Sequence, residues 1–235
     1  MCTVSYIPLA DGYLLTSSRD EFINKETLPP ISYSHFGNKI TYPKDVRSGG
    51  TWIAGSNNET VVCLLNGAFE KHQKKPTQVT SRGKMVIQSL EYDDVEVFID
   101  KFDFNQVEPF TFLKIKDRLF YELRWNGEST FLNKLDKDKP KIWSSPTLYT
   151  PKQRIVREKW FLGWLITNSE HPDFNIMGFH NKQHGDDKTF DILMKRPDGM
   201  QTVSITQIHN SRFAPSMTHL DLKTKETYGP SYFTV

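Results

Sequence analysis

Cysteine occurs only twice in 235 residues, and one of the two is residue 2 of "MCTVSYIPLADGYLLTSSRDEF". Removal of Met1, which aminopeptidases carry out ahead of a small residue such as Cys, would leave Cys2 with a thiol and a free α-amine. An α-amine with an ordinary pKa of about 7.7–8.0 is partly neutral near pH 7 and can act as a base. The thiolate is the nucleophile, and an adjacent base or cation generates it. The same stretch ends in a charge cluster, Arg19-Asp20-Glu21. Arg19 can stabilise the thiolate or hold a substrate group, and Asp20 can orient the α-amine through a charge-assisted hydrogen bond. The bland alternatives are a small buried strand cysteine and an ordinary surface ion pair. Placed side by side, the two features favour chemistry.

The residues between them say how they meet. "CTVSYIPL" and "YLLTSS" read as strands around a hairpin turn at Asp11-Gly12. That turn pairs Thr3 with Asp20, Val4 with Arg19 and Cys2 with Glu21, so Arg19 shares a sheet face with Cys2. A different turn length shifts the register, and with it the face, while the cluster stays close to Cys2.

Further along, a proline-rich loop with Pro29, Pro30 and Pro43 is expected. A second hairpin then runs through "TWIAGS", Asn57-Asn58 and "ETVVCLLN", and a turn at those asparagines sets Asn66 opposite Gly49. The Gly49-Gly50 pair ahead of Thr51-Trp52 fits either a loop passing close to a ligand or a tight turn entering a strand. Helices are expected over "SRGKMVIQSLE" and "DDVEVFIDKF". "FTFLKIK", "RLFYELRW" and "STFLNKL" form a meander. A helix begins at Thr150, with Pro151 at its first position and Gln153 completing a capping box. Late strands are expected at "TFDILMKR", "MQTVSITQIH" and "HLDLKTKE". Strands and helices do not alternate as in a doubly wound sheet, so helices on mainly antiparallel sheets, an α+β architecture, fit better. With no repeat or linker, 1–235 reads as one domain.

The bulk composition excludes several classes. With 30 basic and 28 acidic residues the net charge is +2, which gives no basic stripe for a nucleic-acid partner. Two cysteines are a weak disulfide framework, so free thiols in a reducing, cytoplasmic setting are expected. The N-terminus lacks the pattern of a signal peptide, and no apolar run approaches the ~20 residues of a transmembrane helix. His180 and His184 are four apart, but the surrounding polar residues read as a helix end and no third ligand is spaced for a metal. His209 and His219 read as surface residues.

Taken together, "MCTVSY", "LLTSSRDEF", "GGTWIA", "VVCLLNGA", "SRGKMV", "PFTFLKIKDRLFYELRWNG" and "TPKQRIVREKWF" resemble, in order, the NRDE proteins, also called the transport and Golgi organisation protein two family. The namesake Asn-Arg-Asp-Glu motif reads Ser18-Arg19-Asp20-Glu21 here. The resemblance implies kinship with N-terminal nucleophile (Ntn) hydrolases of the conjugated bile acid hydrolase and penicillin V acylase group. It implies a four-layer αββα sandwich and, by analogy, a cofactor-free amidohydrolase with Cys2 as nucleophile. Arg19 and Asp20 would assist, and Asn66 would donate to the oxyanion. In those hydrolases an Asn precedes a mid-chain Ser-Pro pair, and an Arg occurs late. Here Ser144 precedes Ser145-Pro146, and Lys188 is the cation near the late position. A hydroxyl donates one hydrogen bond, and Lys lacks the planar fork of Arg. Trp52, Ser144 and Lys188 are the substrate-binding candidates, for a small acyl or amide substrate. The alternative expectation is a non-catalytic protein on the same fold that binds a hydrophobic ligand such as haem or lipid, or serves trafficking.

Overall fold

Residues 3–168, 174–211 and 214–233 are described by a computed structural model; Met1 and Cys2 lie outside them. Two antiparallel sheets stand face to face. One has six strands in the order β10 (Lys141–Ser144), β1 (Thr3–Leu9), β2 (Gly12–Phe22), β11 (Met200–Ser211), β12 (Ser216–Asp221), β13 (Glu226–Tyr232). The other runs β3 (Thr27–His35), β4 (Asn38–Asp45), β5 (Ile53–Ser56), β6 (Val61–Asn66), β7 (Phe110–Lys116), β8 (Leu119–Trp125), β9 (Thr130–Lys134). Val4, Tyr6, Leu15, Trp52, Cys63 and Ile208 pack between the sheets.

Helices cover the two outer faces. α1 (Arg82–Gln88) and α2 (Val95–Lys101) bury Met85, Val86 and Phe98 against Val62, Leu64 and Phe112 of the seven-stranded sheet. α3 (Pro151–Asn168) and α4 (Ile176–His180) bury Phe161, Ile176 and Phe179 against Ile7 and Leu14 of the six-stranded sheet. The result is the expected α+β sandwich in four αββα layers. Both faces of β1 and β2 are therefore covered, and the polar run Thr16 to Asp20 is buried. The expected capping box forms, with Thr150 N–H donating to Gln153 Oε1 at 2.9 Å and Gln153 N–H to Thr150 Oγ1 at 3.3 Å.

The opening hairpin turns at Ala10-Asp11, one residue earlier than expected. Leu9 pairs with Gly12, Val4 with Ser17 and Thr3 with Ser18. The expected Thr3–Asp20 and Val4–Arg19 pairs are thus shifted by two residues. Side chains alternate with period 2, so the shift keeps Val4, Ser17 and Arg19 on one face. Gly12 serves close approach rather than the turn: a Cβ there would lie 1.8 Å from the Asn210 carbonyl oxygen of β11. The second hairpin closes through three residues, Asn57, Asn58 and Glu59, with Glu59 at φ 64° and Ser56 N–H donating to Thr60 O at 2.8 Å. Its register, Ile53 opposite Cys63, is one residue off the expected one. Three-residue hairpin loops commonly end in such a left-handed residue, and Asn-Asn masked the extra one.

Three further expectations are corrected. The proline-rich loop is the hairpin β3–β4; Pro29 and Pro30 fall on the edge strand at a break in register between Leu28 and Ile31, where proline costs no ladder hydrogen bond. "TFDILMKR" is not a strand. Its Asp191 carboxylate instead accepts from the backbone N–H groups of His184, Gly185 and Ile192 at 2.6–2.9 Å, folding the segment around itself. "HLDLKTKE" spans parts of two strands, β12 and β13, rather than forming one.

Candidate functional site

Arg19, Trp52 and Asn66, read separately from the sequence, line one cleft of about 440 Å³. β2 delivers Arg19, the approach to β5 delivers Trp52, and the end of β6 delivers Asn66. Arg19 donates to Asp45 at 2.5 Å, and its guanidinium lies 4.9 Å from the centre of the Trp52 ring. Burial works to raise the Asp45 carboxyl, but hydrogen bonds from Ser48 and the Arg19 charge outweigh it and hold it below its ordinary value. The Gly49-Gly50 pair shapes the same wall. Gly50 packs backbone to backbone on α1, where a Cβ would sit 2.3 Å from the Gly83 carbonyl carbon. Asn66 is half-buried, and its backbone carbonyl accepts from Ser145 Oγ at 2.7 Å.

Asp20 points to the other side of the sheet, as alternation requires. Its carboxylate accepts from Tyr149 Oη and Thr202 Oγ1, each at 2.7 Å. Ser144 pairs with Thr3 at the β10–β1 edge and lines a separate cavity. Lys188 is exposed and lines a third one, with Leu193 and Leu220. Cys2, the proposed nucleophile, lies outside the described residues.

Sequence reasoning missed Arg157. It is fully buried on α3, donating through Nε to Ser144 Oγ at 2.8 Å, through Nη1 to Phe190 O at 2.6 Å and to Asp191 O, and through Nη2 to Thr3 Oγ1. Its guanidinium lies 4.0 Å from the centre of the Tyr149 ring. One chain of contacts therefore links Asp20, Tyr149, Arg157 and Thr3. The signal was available: Arg157 is four residues before Phe161, on the apolar stripe of α3, where a cation needs buried acceptors.

Among the described residues two histidines are deeply buried. His180, the last residue of α4, bridges Ser5 Oγ at 2.7 Å and Ser18 Oγ at 2.8 Å, tying β1 to β2. Burial first, then the Arg157 and His184 charges, hold its pKa down to about 3. His219, expected at the surface, is buried between the sheets and bonded to Thr206 Oγ1 at 2.8 Å. Burial lowers its pKa to about 4, with Asp221 opposing and Arg19 adding to the shift. Both folded values lie below the ~6.5 of an unfolded histidine, so the unfolded chain binds more protons once the pH falls below that value. The stability they contribute is complete above about pH 6.5 and is lost as pH falls toward the folded values. We expect urea unfolding to show stability dropping by about 1.4 kcal/mol per pH unit per histidine below pH 6.5. His180→Gln should flatten that slope; an unchanged slope would refute the assignment.

Among the described residues no cluster of three or more His, Cys, Asp or Glu is arranged to hold a metal, and no helix is long and apolar enough to cross a membrane. Cys63 is buried between the sheets, and burial pushes its thiol up to about 12.

The fold and these placements can be set against known proteins. The chain resembles a Caenorhabditis elegans orthologue of N-acylethanolamine-hydrolyzing acid amidase at 12% identity, covering 88% of this chain and 92% of that one, with a TM-score of 0.56. It resembles penicillin V acylase from Agrobacterium tumefaciens at 10% identity over 95% and 86% of the two chains, with a TM-score of 0.53. A variant of conjugated bile acid hydrolase from Clostridium perfringens matches at 10% identity over 100% and 98%, with a TM-score of 0.54. At such identities the likeness establishes a shared, hydrolase-like fold and nothing about activity. No curated protein matches the sequence. The family model described as Transport and Golgi organisation 2 matches residues 3–229, and with that match spanning nearly the whole chain, the protein belongs to the Transport and Golgi organisation 2 family.

Proposed function

We propose that the chain is an N-terminal cysteine amidohydrolase acting on a linear amide C–N bond of a small acylated molecule. The observation that carries this reading is the junction at the end of the first hairpin. Thr3 pairs with Ser18, the neighbour of Arg19 in the chain, and Arg19 shares its cleft with Trp52 and Asn66. Extension of β1 by one residue, which the proposal requires, sets Cys2 opposite Arg19 on the Val4 face. Asp20 and its Tyr149 and Thr202 partners then lie on the other face, within reach of the main-chain amine rather than the thiol.

After Met1 removal, the neutral α-amine of Cys2 takes the thiol proton, and Arg19 stabilises the thiolate. The thiolate adds to the amide carbonyl, and Asn66 donates to the oxyanion that forms. Collapse of the intermediate breaks the C–N bond, and the leaving amine takes the proton back from the α-ammonium. Water, deprotonated by the same amine, then cleaves the thioester, releasing a carboxylic acid and restoring the thiol. The charged walls of the cleft favour this reading over a large apolar ligand such as haem or lipid, which would leave those charges without water.

Intact mass of the purified protein gives the first test, with Met1 expected to be absent. An amide-like or β-lactam probe should then label one site, and peptide mapping should place the adduct on Cys2. Quantitative retention of Met1 removes the proposed base and sinks the mechanism.

A further inference from the structure

The space beside the first hairpin holds buried hydrogen-bond donors that have no acceptor among the described residues. Arg19 is 4% exposed; its Nη2 is taken by Asp45, and its Nη1 has no acceptor. Trp52 is 3% exposed, and its Nε1 has no acceptor either. Ser204, paired with Arg19 across the β2–β11 ladder, has a buried hydroxyl without a partner. Buried polar groups in native proteins are nearly always satisfied, and an exception calls for a reason, a bound ion or ligand among them.

Charge says which ligand. The cleft is lined by five cationic and three acidic side chains. All three acids are engaged, Asp45 with Arg19, Glu21 with Lys25, and Glu108 with Arg82, His72 and Lys74. The lining still carries two more cations than acids, Arg47 among them. Because Asp45 holds one nitrogen of the Arg19 fork, Arg19 cannot grip a ligand with both, and the Trp52 N–H supplies the second prong. A neutral amide has one uncharged carbonyl oxygen to offer the two cleft donors. A carboxylate or phosphate has two or more oxygens, and a charged acceptor roughly doubles the strength of each bond.

We propose that the cleft takes the anionic end of its ligand, a carboxylate or phosphate, whose oxygens accept from Arg19 Nη1 and Trp52 Nε1. This rests on reading the cleft as the substrate site and adds the substrate class: a small acylated compound bearing an acidic group close to the scissile amide. The cleft binds that group whether or not Cys2 is present.

Calorimetric titration of the Cys2→Ala chain with N-acetylglycine, its neutral amide and inorganic phosphate tests this without turnover. At least one anion should bind about 10-fold or more tighter than the neutral amide. The tighter of the two anions identifies carboxylate or phosphate. Trp52→Phe keeps an aromatic face but removes the N–H together with the pyrrole part of the indole, and should weaken the anion about 3- to 10-fold while sparing the amide. Arg19→Gln should weaken it at least about 10-fold, with circular dichroism confirming a folded chain. No anion binding, equal binding of anion and amide, or anion binding unchanged in Trp52→Phe overturns the inference. Anion binding without any wild-type turnover instead overturns the hydrolase reading and leaves this one standing.

Discussion

Replacing Cys2 with Ala is expected to cut amide turnover by at least about 1,000-fold, the largest single effect in the molecule. In the proposed mechanism the reaction runs through an acyl-enzyme on Cys2, so loss of the sulfur would leave only binding and oxyanion stabilisation. The other cysteine supplies the control. Cys63 is buried with its thiol pushed up to about 12, so it is protonated at neutral pH and packs as a small apolar group. Cys63→Ala should therefore keep turnover within a few-fold of wild type. Steady-state kinetics on a panel of N-acyl amides, after mass spectrometry has shown Met1 removal, decides the matter. Equal turnover in wild type and Cys2→Ala would end the proposal.

The second large effect is on stability. Arg157→Met keeps most of the side-chain volume and removes a guanidinium that holds four acceptors. Losing the buried charge recovers desolvation energy, which works in the variant's favour. The Thr3 and Ser144 hydroxyls can turn to other partners, but the Phe190 and Asp191 carbonyls stay in place, dry and unpaired. Each such group costs roughly 1–3 kcal/mol. The unmet carbonyls should win by about 2–4 kcal/mol, lowering Tm by roughly 5–15 °C. Hydrogen exchange should quicken at β1, since Arg157 is the contact between α3 and Thr3. A melting temperature within a degree of wild type would show that Arg157 does not hold this layer together.

How much of this was legible in the sequence depends on the range of the interactions involved. The β1–β2 hairpin, the meander β7–β9, the helices α1 and α2 and the capped start of α3 were readable because turn dipeptides, alternation and caps act within a few residues. The αββα layering followed from a pattern of motifs spread along the chain. Short-range signals also misled. Asn57-Asn58 pointed to a two-residue loop, while a third residue, Glu59, adopts the left-handed conformation that closes it. "TFDILMKR" alternates like a strand, but the Asp191 carboxylate takes the Ile192 N–H of that segment together with those of His184 and Gly185, folding it back on the preceding loop.

By itself the sequence determined the candidate cysteine, the charge cluster near it, the opening hairpin, and the family motifs that name its relatives. These are properties of neighbours along the chain. Only the tertiary structure decided that Arg19, Trp52 and Asn66 share a cleft while Ser144 and Lys188 do not. It alone brought Arg157 from α3 to Thr3, His219 into the core, and unpaired donors of β2 and the β5 approach together. Those outcomes depend on how two sheets and two helical layers stack. Stacking is set by the summed burial of apolar faces, which no single stretch of sequence carries.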